Sequence, residues 1–246
     1  MSRNYDLMQR VSKDERWQGN IPPPPVSRTY EMRPVPDAHV LSREELVKLV
    51  QMVFLLPGKP ARHVVLFSGA AAGAGCSTIC VGAAEALAAQ AEQPVCLVDS
   101  NLRFPSLHVC LGVENRRGLS EALLEGGPMQ EYIQKLSPHL WFLPSGVRCS
   151  PQVGVNGAGR LAARIIELRQ QFRYVLLDSP PVNTYSDAIP LGQCADGVVL
   201  VVGANSTRRE AARKAKDCFL SAGSKLAGVV LNNRTYPIPQ TLYDLL

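Results

Sequence analysis

Several short runs of this chain are apolar at every position: Val64 to Phe67, Val95 to Val98, Leu140 to Leu143, Tyr174 to Leu177 and Gly197 to Val202. Successive side chains of a strand point to opposite faces, so a strand without polar members must be covered on both sides. The segments between the runs carry helical signals. Ser42-Arg43-Glu44-Glu45 is a capping box, followed at helical spacing by Leu46, Leu49, Val50 and Val53. Further helices are expected over 77–90 and 160–172. Thr207-Arg208-Arg209-Glu210 gives a second capping box, opening a basic helix that runs to about Ala222. Residues 118–136 read as short helical pieces, and Gly228 to Leu231 as a last strand closed by Asn232 and Asn233. Buried strands alternating with helices dictate an α/β fold: a doubly wound, mainly parallel sheet with helices on both faces.

Composition agrees. The 246 residues are 46% hydrophobic but only 6% aromatic, which suits an aliphatic parallel sheet better than an aromatic-cored sandwich. The net charge of +5 comes from dispersed basic residues and does not by itself call for nucleic acid or a membrane. No apolar run reaches the roughly 18–20 residues of a membrane helix, and the polar start lacks a signal-peptide core. Seven cysteines without a C-x-x-C pair point to free thiols in a reducing cytoplasm, with Cys80, Cys96, Cys110 and Cys218 as small buried hydrophobes. Pro22 to Pro25, then Pro34 and Pro36, make residues 1–40 a largely extended arm. Residues 41–246 are left as the folded domain.

In doubly wound sheets ligands bind beyond the carboxyl ends of the strands, and three such ends carry chemistry. Ser68 to Thr78 is a Gly/Ala-rich turn between a strand and a helix. Its small residues let backbone N–H groups approach an anion at the helix N-terminus, and Ser77 is placed to bind Mg²⁺. An ordinary tight turn would have similar composition. Asp99 and Asp178 end two further strands, where a carboxylate pair suits magnesium, although a lone strand-ending Asp often only caps a turn.

Taken together these ends resemble the bacterial tyrosine autokinases of capsule and exopolysaccharide export, which belong with the septum-positioning and partition ATPases among deviant Walker P-loop proteins. The resemblance rests on the loop and on Val95-Cys96-Leu97-Val98-Asp99-Ser100-Asn101-Leu102-Arg103-Phe104-Pro105-Ser106-Leu107-His108. It rests also on Arg173-Tyr174-Val175-Leu176-Leu177-Asp178-Ser179-Pro180-Pro181. Gly118-Leu119-Ser120, Asp187-Ala188, Asp196-Gly197-Val198, Thr207-Arg208-Arg209 and Val230-Leu231-Asn232 fall in the matching order. The resemblance implies ATP or ADP with Mg²⁺, held by Gly73, Ala74, Gly75, Cys76, Ser77, Thr78 and Asn232. Ser77, Asp99 and Asp178 would serve the metal, with Asp99 and Asp178 as the catalytic carboxylates. It further implies a membrane polysaccharide co-polymerase as partner, recruitment to the inner face of the plasma membrane, and homo-oligomers. No nucleic acid is expected.

The departures from the family pattern are as informative. Cys76 stands where the Walker lysine would neutralise β/γ-phosphate charge. Ala72 and Ala74 replace the loop Pro and Glu, and Asn101 replaces a second Asp. Lys48 stands at the Arg of an E-x-x-R assembly motif of which only Glu45 remains. The C-terminal tyrosine cluster is reduced to Tyr236 and Tyr243. Two readings of different class follow: a catalytically weakened regulatory or scaffold member, and a working ATP-dependent tyrosine autokinase. A third, a partition-type ATPase, is opposed by Ala71, where that group carries an extra lysine.

Overall fold

A computed structural model describes residues 42–56, 62–147 and 158–234. The proline-rich arm, Tyr236 and Tyr243 lie outside the described residues. The strands are β1 (Val64–Gly69), β2 (Val95–Asp99), β3 (Gln134–Ser137), β4 (Leu140–Leu143), β5 (Tyr174–Ser179), β6 (Gly197–Gly203) and β7 (Leu226–Asn232). They form one sheet in the order β3-β4-β2-β5-β1-β6-β7. All neighbours are parallel except β3 and β4.

The helices are α1 (Arg43–Val50), α2 (Cys76–Ala91), α3 (Leu107–Leu111), α4 (Leu119–Glu125), α5 (Ala158–Gln171), α6 (Ala188–Cys194) and α7 (Arg209–Ser221). Because the central strands are apolar on both faces, the sheet has two cores. Val64, Leu66, Val98, Val175, Leu177, Val198 and Leu200 face α4 to α7, through Leu123, Ile165, Leu191, Ala215 and Phe219. Val65, Phe67, Leu97, Leu176, Val199 and Val201 face α1 to α3, through Val50, Ile79, Leu87, Leu107 and Leu111. The doubly wound architecture read from the sequence is the one observed. Among the described residues no helix is long and apolar enough to cross a membrane.

Local readings fared unevenly. The first capping box is formed: Glu45 N donates to Ser42 Oγ at 3.3 Å, and Ser42 N to Glu45 Oε2 at 2.9 Å. Helix α1 then widens into a π turn, Gln51–Leu55, which buries Val53 and Phe54. The second capping box is not formed. Helix α7 is capped by Arg208 without a side-chain bond, because Thr207 Oγ1 accepts Gly203 N at 3.1 Å and closes the turn after β6 instead. The stretch read as helical pieces ends in a strand, β3, whose single buried member is Leu136. A hairpin partner, β4, imposes that conformation where periodicity is silent. The six described cysteines are free; Cys80 and Cys96 are buried, whereas Cys110 and Cys218 are only half-buried.

Candidate nucleotide and metal site

Strand β1 is central, between β5 and β6, so the loop that follows it emerges over the middle of the sheet. The chain turns through Gly73 and Gly75, at φ 75° and 79°, a left-handed conformation that glycine adopts without strain. Helix α2 begins immediately, at Cys76. From Gly75 through Thr78 no backbone N–H donates to a protein acceptor among the described residues. A ring of unpaired amides at a helix N-terminus is an anion cradle.

Asn232, at the end of β7, holds this loop from the side. Its Nδ2 donates to Ala74 O at 3.0 Å, while its buried Oδ1 has no partner. A Cβ on Gly75 would lie 2.2 Å from that Nδ2. Gly75→Ala is therefore expected to lose about 1–3 kcal/mol in stability, from backbone strain and a broken Asn232 contact. Thermal denaturation checks this; an unchanged midpoint would contradict the loop geometry.

Asp99 and Asp178 are paired across β2 and β5 and fully buried. Asp99 accepts backbone N–H groups from Asn101 at 3.3 Å, Ser106 at 3.2 Å and Leu107 at 3.1 Å. Asp178 accepts the Ser77 hydroxyl at 2.7 Å, and Ser106 Oγ donates to Ser77 Oγ at 3.3 Å. Asp178 Oδ1 is buried with no partner. Burial, and then the charge of Asp178, push Asp99 up to about 7, against the pull of its three amides. Burial pushes Asp178 up to about 6, offset in part by Ser77. No lysine or arginine touches either carboxylate among the described residues. Burial and the neighbouring Asp178 likewise push the Cys76 thiol well above its usual range, so it stays neutral.

Two buried carboxylates, an orphaned oxygen and an adjacent hydroxyl form an all-oxygen donor set that fits Mg²⁺. Among the described residues no group of three or more His, Cys, Asp or Glu could hold a metal ion.

The structure places Gly73, Ala74, Gly75, Cys76, Ser77, Asp99, Asp178 and Asn232 around the carboxyl ends of β1, β2, β5 and β7. Thr78 lies on the first turn of α2 and makes no side-chain hydrogen bond among the described residues. Asn101 is a turn-former, its Oδ1 accepting Phe104 N at 3.2 Å. Sequence reasoning assigned no role to Ser106 or to a clamp between the loops after β2 and β5. In that clamp Arg103 is ion-paired with Asp187 and stacks 4.9 Å over the Tyr185 ring. Arg103 and Asp187 both sit in matched text, but nothing in either stretch announces the pairing.

A family model described as "Cellulose biosynthesis protein BcsQ" matches residues 62–217. The tyrosine-protein kinase YwqD of Bacillus subtilis (strain 168) is 33% identical over 176 residues, 69% of this chain and 72% of the relative. The putative tyrosine-protein kinase CapB of Staphylococcus aureus is 27% identical over 145 residues, 58% of this chain and 64% of the relative. Among solved structures, the chimeric protein CapA2B2 superposes with a TM-score of 0.72 at 26% identity, covering 89% of this chain and 97% of the other. The septum site-determining protein MinD of Pyrococcus horikoshii shares the fold at 20% identity, with a TM-score of 0.57 over 75% of this chain and 77% of its own. The chain belongs to the family described as cellulose biosynthesis protein BcsQ, within the P-loop fold, and its relatives include bacterial proteins named as tyrosine-protein kinases.

Proposed function

We propose that this chain is a regulatory or scaffold member of a capsule or exopolysaccharide assembly system, binding ATP or ADP with Mg²⁺ weakly and transferring phosphate poorly. The observation that carries the reading is Cys76. It stands at the first position of α2, beside Asp178, in a loop that has no Lys or Arg from Ser68 to Thr78. Phosphoryl transfer depends mainly on positioning and on neutralising charge at the β/γ oxygens. The amide cradle can still position; the neutral thiol cannot neutralise.

Of the remaining groups, Ser77, Asp99 and Asp178 would hold Mg²⁺, which supplies charge neutralisation at the phosphates. Asp99, with its raised affinity for protons, is suited to accept a hydroxyl proton near neutral pH. Its own partner would be a membrane co-polymerase that recruits it to the inner face of the plasma membrane. Support for this comes from relatives named as tyrosine kinases and from the CapA2B2 chimera.

The test is calorimetry with ATP and ADP, with and without Mg²⁺, beside a phosphotyrosine assay. Weak Mg²⁺-dependent binding with little phosphotyrosine is expected. Brisk autophosphorylation by the wild type would establish the alternative, a working autokinase with an unusual loop.

A further inference from the structure

Helix α7 and the edge of the sheet beside it form a surface that the nucleotide site does not use. Between residues 208 and 221 stand Arg208, Arg209, Arg213, Lys214 and Lys216 against only Glu210 and Asp217. On a helical wheel Arg209, Arg213, Lys216 and Leu220 are spaced i, i+4, i+7 and i+11, so they share one flank. All four are exposed. Both acids lie on the outward face between that flank and the one that carries Lys214 and Ser221. Arg209 and Arg213 make no ion pair among the described residues, and Lys216 has only its sequence neighbour Asp217, at 3.5 Å.

The contacts of α6 show which way that flank faces. Gln193 Nε2 donates to Ala222 O at 3.1 Å, and a Cβ on Gly192 would touch the Phe219 ring. Leu220 lies across the helix axis from Ala222, so its stripe turns away from α6 and toward the free edge of β7. Among the described residues that strand pairs only with β6. Val229 and Leu231 are in register with Leu200 and Val202, members of the core layer beneath α7, so they point to the same side of the sheet. Nothing described covers them: Leu220, Val229 and Leu231 are 49%, 61% and 51% exposed.

We propose that this surface docks directly on an anionic lipid bilayer. Three cations provide attraction to negative headgroups, and three neighbouring aliphatic side chains provide insertion at the headgroup boundary. Duplex DNA would use the cations but offers no apolar layer for Leu220, Val229 and Leu231. The proposal is independent of the nucleotide site and would hold whether or not ATP is turned over.

The experiment is co-sedimentation of the full chain with vesicles of phosphatidylcholine alone and with about one third phosphatidylglycerol, at low and at physiological salt. Binding to the anionic vesicles only, weakening with salt, is expected. Arg213→Ala with Lys216→Ala should lose roughly thirtyfold in affinity, at about fivefold per cation near such a surface. Leu220→Ser with Val229→Thr should lose roughly tenfold or more while keeping the salt dependence. A control pair that removes equal charge elsewhere, Lys48→Ala with Lys214→Ala, should change binding by only a few-fold. Circular dichroism verifies that each variant is folded. No binding to anionic vesicles would overturn the proposal, as would equal losses in the control pair. So would tighter binding to a DNA duplex that ignores the aliphatic substitutions.

Discussion

Replacing Cys76 by lysine is expected to raise ATP affinity by roughly tenfold to a hundredfold, the worth of one charge-assisted contact. The new ammonium would stand at the start of α2, beside the amides of the loop that precedes it. In the absence of nucleotide it would lie beside Asp178, whose charge already acts on the residue at 76. An opposite charge there should draw the Asp178 proton affinity back toward the ordinary carboxylate range. Phosphotyrosine formation should recover less than binding. Adding Asn101→Asp should improve turnover beyond either single change, since a third carboxylate enters without loss of the Oδ1 that accepts Phe104 N. The measurements are calorimetry and phosphotyrosine yield for the wild type, both single variants and the double. A lysine variant with no gain in affinity would mean that the loop does not receive phosphate.

The second large effect concerns stability. Asp178→Asn should make the metal-free protein more stable at pH 8 by about 1–2 kcal/mol, or roughly 2–8 °C in melting midpoint for a domain of this size. The sign follows from the raised proton affinities. Asp178 and Asp99 hold protons up to about 6 and about 7 in the folded state, whereas the unfolded chain releases them near the ordinary value of 3.8. Between about pH 4 and pH 7 the folded protein thus binds more protons than the unfolded one, and stability falls as pH rises through that window. Above it both carboxylates are charged, buried and adjacent. Removing one charge relieves the pair, and the amide oxygen of Asn can still accept the Ser77 hydroxyl. The advantage should vanish toward pH 4. Mg²⁺ should raise the midpoint of the wild type at pH 8 and leave that of Asp178→Asn nearly unchanged. Equal midpoints for the two proteins at pH 8 would refute the pairing of these carboxylates.

What the sequence disclosed and what it concealed have physical causes. Runs such as Val64 to Phe67 and Gly197 to Val202 announce themselves because a strand buried on both faces admits no polar residue, and they carry the sheet with them. The loop, Asp99 and Asp178 were legible because they end such runs, and the turn that follows β1 must lie beside them. Strand β3 was not legible: Gln134, Lys135 and Ser137 contribute nothing to the core, and their conformation comes from β4. Thr207 shows the same limit at one residue. Its spacing to Glu210 fits a helix cap, yet its hydroxyl serves a turn that only the tertiary path of β6 creates. The Arg103 clamp joins residues far apart in the chain, so local pattern could not reveal it.

Asn232 bears on the kinetics of binding. Its hydrogen bond to Ala74 O ties the loop to the end of β7, and under the proposed function it would help to keep the loop shaped for phosphate before anything arrives. An incoming phosphate group then meets amides that need no ordering, and encounter is limited by diffusion and access rather than by a folding step. Under the proposed function, the missing positive charge at position 76 would then act after arrival, as a short residence time.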